Sequence, residues 1–313
     1  MVPIRFYQVD VFCDRPFGGN PLAVFPDAAG LTRKEMQQLA LELNLSETTF
    51  VFPPDSAQAD FKVRIFTPVA EIPFAGHPLV GTHWVLADLG RVPLEEPTTT
   101  VTFELGVGLR SGHLHVRSGE VDRVVTAHQA PQFRATATQS QARRLAQALQ
   151  IPFHAIVDTG KPVQVVSTGY PQLFVPVNSL AIVSGIDVLQ IDAAELGKVC
   201  CEMGLEGADV AVFSLETMYE DRDVHMRFFA PHHGILEDPA TGSASGGMAS
   251  YLVHHQLVSA SPPVTTIVTE QGIEMKRPSK VTIEIEGSPE EISMVWVSGD
   301  VVPVMSGVFF WRE

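Results

Sequence analysis

The sequence predicts a strand-rich α+β chain folded as two domains. Three observations carry this: its length, the succession of strand-like and helix-like patterns, and one repeated segment. At 313 residues, and with domains of roughly 100 to 200 residues, there is material for two units, each large enough to bury a core without staples. Hydrophobic residues make up 45% and charged residues 18%, with 24 Gly and 23 Pro, which excludes a disordered, collagen-like or low-complexity chain. The repeat sets Arg64-Ile65-Phe66-Thr67-Pro68 against Arg227-Phe228-Phe229-Ala230-Pro231, an offset of 163 residues (227 less 64). Each copy passes through a short loop and a small-residue turn into a helix pattern. The turn is Ala75-Gly76-His77-Pro78 in the first and Asp238-Pro239-Ala240-Thr241-Gly242-Ser243 in the second. A period this long means a duplicated domain, because solenoid repeats run about 20 to 50 residues.

Element by element, Ile4 to Phe12 is β-branched and aromatic with partial alternation, so a strand opens the fold, and Pro16 to Pro21 (PFGGNP) reads as a loop. Thr32-Arg33-Lys34-Glu35 is a capping box before apolar positions Met36, Leu39, Ala40 and Leu43, predicting an amphipathic helix that ends near Asn44. Thr48 to Phe52 and Phe61 to Phe66 read as strands, which leaves Leu45-Ser46-Glu47 at a helix-to-strand corner. A helix pattern runs from His77 to Leu89 and stops at Gly90, followed by strands to about Ala127. Around Pro131 the chain turns polar (APQFRATATQSQ), and Thr138 to Gln141 can cap a helix to Gln150. The boundary is placed there: residues 1–127 form the first domain, which the last strand at about 301–313 can join, and residues 128–300 form the second. The second half offers strands at Pro162 to Ser167, Leu173 to Val177, Ala208 to Leu215 and Val224 to Phe229, and a helix capped by Asp192 and Glu195 and closed by Gly204. A last helix spans about Thr241 to His255, and strands at Val264 to Thr269, Val281 to Ile285, Ile292 to Val297 and Gly307 to Trp311 complete the pattern.

Composition narrows the function. Lys and Arg total 21 against 36 Asp and Glu, a formal charge of -15, and the basic pairs Arg33-Lys34, Arg143-Arg144 and Lys276-Arg277 are too short to make the stripe a nucleic acid requires. Only Cys13, Cys200 and Cys201 occur, which gives neither a disulfide framework nor a CxxC pair and suits a reducing cytosol. A strand-like pattern from Pro3 gives no sign of a leader. The most apolar stretch, Val295 to Trp311, is broken by Asp300, Pro303 and two glycines and falls short of the ~20 residues a spanning helix needs. A cytoplasmic protein without membrane partner is expected. Among 11 His, the groupings His232-His233, His254-His255 and His113 with His115 lack HExxH or Cys/His quartet spacing and read as loop and strand histidines, so no metal is expected. TGSASGG lacks the Lys of a Walker loop, and Gly106-Val107-Gly108 opens a strand, so no nucleotide cofactor is expected either.

Several residues have chemical potential. Glu47, beside small polar residues at the corner, can take a proton from carbon if burial raises its pKa, or it can be a surface Glu in a turn. His77 opens a helix, where protonation is disfavoured; it can act as a neutral donor to a carboxylate or carbonyl, or it can simply cap or pack. Asp238 can orient a substrate or serve as an N-cap. Gly76, Gly242 and Ser243 offer backbone N–H groups and a hydroxyl at helix starts, which suit a carboxylate or serve capping and close packing.

Phe17 to Phe25 (FGGNPLAVF), Asn44 to Phe50 (NLSETTF), Arg64 to Gly81 (RIFTPVAEIPFAGHPLVG), Glu237 to Ala244 (EDPATGSA), and Gln271-Gly272 with Arg277-Pro278-Ser279 resemble, in order, the signature segments of the phenazine-biosynthesis PhzF-like family. The resemblance covers nearly the whole chain. It implies the diaminopimelate epimerase-like fold, two similar halves each wrapping a β-barrel-like sheet around a central helix, with an active site between them. It further implies a cofactor-independent isomerase acting on a small carboxylated substrate, and a homodimer. Glu47 would be the acid/base, His77 and Asp238 would complete the catalytic set, and Ser46, Gly76, Thr241, Gly242 and Ser243 would bind substrate. The family's best-known reaction is the isomerisation of trans-2,3-dihydro-3-hydroxyanthranilate. Where racemases of this fold carry thiols, the repeat alignment places Ala75 and Asp238, which disfavours a two-thiol racemase. A non-thiol epimerase and a catalytically silent small-acid binding protein stand as alternatives.

Overall fold

The computed structural model describes residues 2–311. Backbone contacts divide the chain into two compact units, Met1–Ala127 with Ser298–Glu313, and His128–Val297. The first unit contains β1 (Val2–Val11), β2 (Asn20–Phe25), α1 (Arg33–Leu43), β3 (Glu47–Phe52), β4 (Phe61–Phe66), β5 (Glu71–Ile72), α2 (Gly76–Asp88), β6 (Thr98–Leu105), β7 (Gly108–Arg117) and β8 (Glu120–His128), together with the chain's last strand, Val301–Trp311. The last strand pairs with β1 and β1 with β2, both antiparallel. Then β2 runs parallel to β3, β3 antiparallel to β4, and β4 antiparallel to β5 and parallel to β6, which is antiparallel to β7.

The second unit contains β9 (Gln132–Thr136), α3 (Gln139–Ala148), α4 (Phe153–Val157), β10 (Gln164–Ser167), β11 (Pro171–Pro176), α5 (Leu180–Ser184), α6 (Ala193–Glu202), β12 (Val210–Ser214), β13 (Val224–Ala230), β14 (Ile235–Asp238), α7 (Gly242–His254), β15 (Val264–Gln271), β16 (Ser279–Gly287) and β17 (Ile292–Gly299). Its pairings reproduce the first unit's strand for strand. β9 and β10 are antiparallel, as are β10 and β11; β11 is parallel to β12, and β12 antiparallel to β13. β13 is antiparallel to β14 and parallel to β15, and β15 is antiparallel to β16. The five-residue sequence repeat is therefore the visible part of a duplication that spans the whole unit.

Each copy keeps the same anchor. Arg64 clasps Glu71 through Nε and Nη2 at 2.7 and 2.8 Å, and Arg227 clasps Glu237 the same way at 2.7 and 2.7 Å. The guanidinium also lies over the ring two residues on, Phe66 at 5.4 Å and Phe229 at 5.2 Å. A bidentate pair of this kind fixes geometry as well as charge. Here it pins the short strand that leads into each unit's central helix. Those helices, α2 and α7, are buried along nearly their whole length. The amphipathic helices lie on the sheet's other face: α1 packs Met36, Leu39 and Ala40 on Phe25, Phe50 and Phe66, while α3 and α6 pack Leu145, Leu196 and Val199 on Val210, Val212 and Phe229. The capping boxes at Thr32 and Thr138 and the Asp192 cap form as expected, and Asn44 closes α1 with φ 50°.

Three segments differ from expectation. The polar stretch after Pro131 contains β9, whose residues are mostly exposed; an edge strand with two wet faces carries no alternation to read. β2 begins inside the segment read as loop, at Asn20, and its residues are nearly all buried on both faces, which erases a period of two. The last strand begins at Val301 rather than Gly307, and Pro303 sits opposite Val9 where the register with β1 shifts. A bulge is a place where a strand tolerates proline.

One polar cluster inside the second unit sets a measurable stability. His225 is fully buried and donates from Nδ1 to Glu270 at 2.7 Å and from Nε2 to Glu274 at 3.1 Å. Burial alone would push the imidazole pKa down, but the two carboxylates outweigh it and hold it up at about 9. An unfolded His titrates near 6.5, so this contribution is complete below about pH 6.5 and disappears as pH rises through 9. Replacing His225 with Ala leaves the buried Glu270 and the partly buried Glu274 without the cation between them, although the Met218, Tyr219 and Ser184 donors remain. Urea unfolding at pH 7 is expected to show a loss of about 3 to 5 kcal/mol.

Candidate active site

The strand β3 explains where Glu47 points. Its residues are buried on both faces, with Phe50 packed toward α1 and Thr49 bonded across 2.8 Å to Thr82 of α2. Residues two apart on a strand share a face, so Glu47 faces the central helix as Thr49 does. Two strand residues rise about 6.6 Å, and five helix residues rise about 7.5 Å. One step from Thr49 to Glu47 therefore matches the climb from Thr82 to His77, the second residue of α2. The structure places Glu47 Oε2 3.4 Å from His77 Nε2, with relative exposures of only 8% and 5% for the two residues.

This contact is between a carboxyl group and a neutral imidazole. Full burial lowers the His77 pKa to about 3, and the helix start adds partial positive charge that opposes protonation. His77 therefore stays uncharged over the pH range in which enzymes work. Gly76 opens the same helix after Ala75, which supplies no side-chain cap, and Ser46 precedes Glu47 at the half-buried corner. Four of the expected site residues, Ser46, Glu47, Gly76 and His77, are thus gathered at one end of the first unit.

Asp238, Thr241, Gly242 and Ser243 are gathered in the second. Asp238 is the last residue of β14 and is 7% exposed. It is not the N-cap of α7. That position belongs to Thr241, whose side chain makes no capping bond and whose hydroxyl donates to Asp238 Oδ2. The loop between them is held by Gln271, fully buried, which donates from Nε2 to the Asp238 carbonyl at 2.6 Å and to Thr241 Oγ1 at 3.1 Å while its Oε1 accepts from Thr241 N–H at 3.0 Å. Gly272 follows at φ +73°, and a Cβ there would lie 2.4 Å from the Pro239 carbonyl oxygen, so glycine alone lets the strand end lie against this loop. Gln172 donates to Ser243 Oγ at 3.0 Å. Gln271 was visible in the sequence only as part of a signature, without a role. Gln172 carried no signal at all.

These features define a protein of two duplicated halves, each pairing a strand-rich sheet with a buried central helix. A family model described as "Phenazine biosynthesis-like protein" matches residues 9–307. The chain is 35% identical over 299 residues, 95% of each chain, to trans-2,3-dihydro-3-hydroxyanthranilate isomerase of Pseudomonas aeruginosa. The solved PhzF-family protein of Bacillus anthracis superposes with a TM-score of 0.86 at 28% identity, over 99% of this chain and 100% of that one. A hydroxyproline epimerase from Agrobacterium vitis shares the fold with a TM-score of 0.64 at 13% identity, covering 98% and 92%. The chain belongs to the phenazine-biosynthesis PhzF-like family, with the diaminopimelate epimerase-like fold, and it is an isomerase. Among the described residues, no helix is long and apolar enough to cross a membrane.

Two outcomes test the geometry. In a side-chain NMR titration, His77 is expected to keep the chemical shifts of neutral imidazole down to about pH 4, with protonation only near 3; titration near 6.5 would contradict its burial. Because an unfolded His protonates near 6.5, its neutral burial also lowers stability as pH falls below that value. Gln271→Leu leaves a buried carbonyl and N–H without their partner, and thermal or urea unfolding is expected to show about 1 to 3 kcal/mol lost.

Proposed function

We propose that this isomerase moves a proton, and with it a double bond, within a small carboxylated substrate, and that it needs no cofactor. The observation that carries the reading is the buried Glu47–His77 contact: a carboxyl group and an uncharged imidazole held 3.4 Å apart at the mouth of a helix. In the proposed cycle the Glu47 carboxylate accepts a proton from carbon. The electron pair of that C–H bond becomes part of a new double bond, the old double bond shifts its electrons to a second carbon, and Glu47 returns the proton there. Nothing is oxidised or reduced, and atoms balance. His77, being neutral, donates a hydrogen bond to the charge that develops without competing for the proton.

Asp238 is assigned to orienting the substrate and assisting the proton's passage, with its carboxylate positioned by Thr241. The N–H groups of Gly76 and Gly242 and the Ser46 and Ser243 hydroxyls suit a substrate carboxylate, because helix starts without a side-chain cap favour anions. Thr241, whose hydroxyl and N–H are engaged by Asp238 and Gln271, would line the substrate site rather than donate to it. The Pseudomonas aeruginosa relative is named for trans-2,3-dihydro-3-hydroxyanthranilate, and a ring carboxylate of that kind is the substrate class proposed here. We place the enzyme in the cytoplasm as a homodimer, on its cysteine content and the habit of its family.

The decisive experiment is incubation in D₂O, with deuterium entry at the receiving carbon followed by NMR. Glu47→Gln keeps shape and hydrogen-bonding capacity but cannot accept a proton from carbon, so turnover is expected to fall by ~10² to 10⁴ while ligand binding persists. His77→Ala and Asp238→Asn are expected to cost less. Exchange at the wild-type rate in Glu47→Gln, but not in Asp238→Asn, would assign the acid/base role to the other carboxylate. Inversion at one carbon with no double-bond shift would mark an epimerase.

A further inference from the structure

The second unit carries another polar cluster, at a strand-end corner that the proposed chemistry does not use. Asp209 precedes β12 and is 3% exposed. His232 and His233 lie on the single 3₁₀ turn Pro231–His233 that follows β13, and Tyr170 precedes β11. Because β11 and β12 are parallel and β13 is antiparallel to β12, all three chain segments converge at one end of the sheet. His232 Nε2 lies 3.3 Å from Asp209 Oδ2, and His233 Nε2 lies 3.6 Å from Asp209 Oδ1. One donor atom from each of the three residues falls within a 4.8 Å group.

We propose that Asp209, His232 and His233 form a binding site for one borderline divalent transition ion, Zn²⁺ being the representative. With metal–ligand bonds of about 2.0 to 2.1 Å, a tetrahedral site sets its donor atoms about 3.3 to 3.4 Å apart. The histidines lie 3.3 and 3.6 Å from the two different oxygens of Asp209, and one donor from each residue lies within 4.8 Å of the others, so a small side-chain adjustment would close the set on one ion. The donor set, two imidazoles and a carboxylate, suits Zn, Ni, Cu or Fe rather than Mg or Ca. The supporting contacts are those a ligand histidine needs. His232 donates from Nδ1 to the Ala208 carbonyl at 2.8 Å, which fixes its tautomer and turns the Nε2 lone pair toward Asp209. Its ring rests on Gly207, where a Cβ would lie 2.5 Å from the imidazole. Tyr170 donates to Asp209 Oδ2 at 2.9 Å, and its oxygen is 3.1 Å from His233 Nε2.

The fold itself does not require this cluster. The equivalent positions of the first unit, each 163 earlier, are Ser46, Val69 and Ala70, and the same strand pairings form there without ionisable side chains at those places. The corner that holds Ser46-Glu47 in one half holds Asp209-Val210 in the other. A bound ion would tie the start of β12 to the end of β13 and leave at least one coordination position open to water or a small anion.

The test uses the full-length, chelator-stripped protein titrated with ZnCl₂ by calorimetry, and with Co²⁺ as a spectroscopic probe. One Zn²⁺ per chain, a visible Co²⁺ spectrum of a four- or five-coordinate N/O site, and a raised melting temperature are expected. The double variant Asp209→Asn/His233→Ala is expected to bind neither ion, and Gly207→Ala, which displaces the His232 ring, to bind about 10 to 100-fold more weakly. Should the double variant fold poorly, NMR of wild-type histidine side chains decides the matter: Zn²⁺ is expected to shift His232 and His233 first, at one equivalent. Absence of saturable binding, stoichiometric binding that survives the double variant, or first shifts at other histidines would each overturn the assignment.

Discussion

A helix enclosed by its own sheet can carry almost no charge and no bulk it cannot place, and much else in this protein follows from that constraint. In α2 and α7 nearly every residue is buried, and among the described residues the sheet leaves glycine-sized gaps where it comes closest. A Cβ on Gly81 would meet Leu22 at 2.6 Å, and one on Gly247 would meet the Phe174 ring at 2.7 Å. Neither helix has a side-chain cap, so each presents its first N–H groups to whatever lies beyond its start. The same enclosure keeps His77 dry and neutral. A scaffold that must bury a helix end is thereby a scaffold ready to receive an anion or a developing negative charge.

Duplication supplied the scaffold twice, and the copies then diverged in what they place at matching points. The Arg64–Glu71 and Arg227–Glu237 clasps and their aromatic partners are common to both. At the corner after the first helix, one half has Ser46-Glu47 and the other Asp209-Val210; at the second residue of the central helix, one has His77 and the other Ser243. The framework is shared because it answers a packing problem. The differing residues sit at strand and helix ends, where side chains can change without disturbing the ladder.

Histidine shows how completely surroundings decide chemistry here. His77 and His225 are both buried, yet one is held near a pKa of 3 and the other near 9. The first meets desolvation with little to offset it, while the second is enclosed between two carboxylates whose hydrogen bonds outweigh the same penalty. The overall charge of -15 has no bearing on either, since both lie beyond the reach of solvent and the nearest neighbours dominate at short range.

By itself the sequence determined the strand-rich class, the duplication, the capped helices at Thr32, Thr138 and Asp192, and which side chains carry chemical potential. Each of these is written in local signals: a capping box, a periodic apolar face, a glycine turn, a five-residue echo at an offset of 163. Glu47, His77 and Asp238 were legible as candidates but not as more, because a lone Glu in NLSET has the same sequence whether it is buried or bathed in water. Only the tertiary structure decided that Glu47 lies against His77, that Gln271 holds the Asp238 loop, and that Asp209 meets two histidines some twenty residues further on. Strands β2 and β9 escaped for a related reason. A strand buried on both faces and one wet on both faces lose the alternation of two that marks an ordinary one. Which face a residue shows, and what it meets there, depends on pairings between segments far apart in sequence, and no local pattern records them.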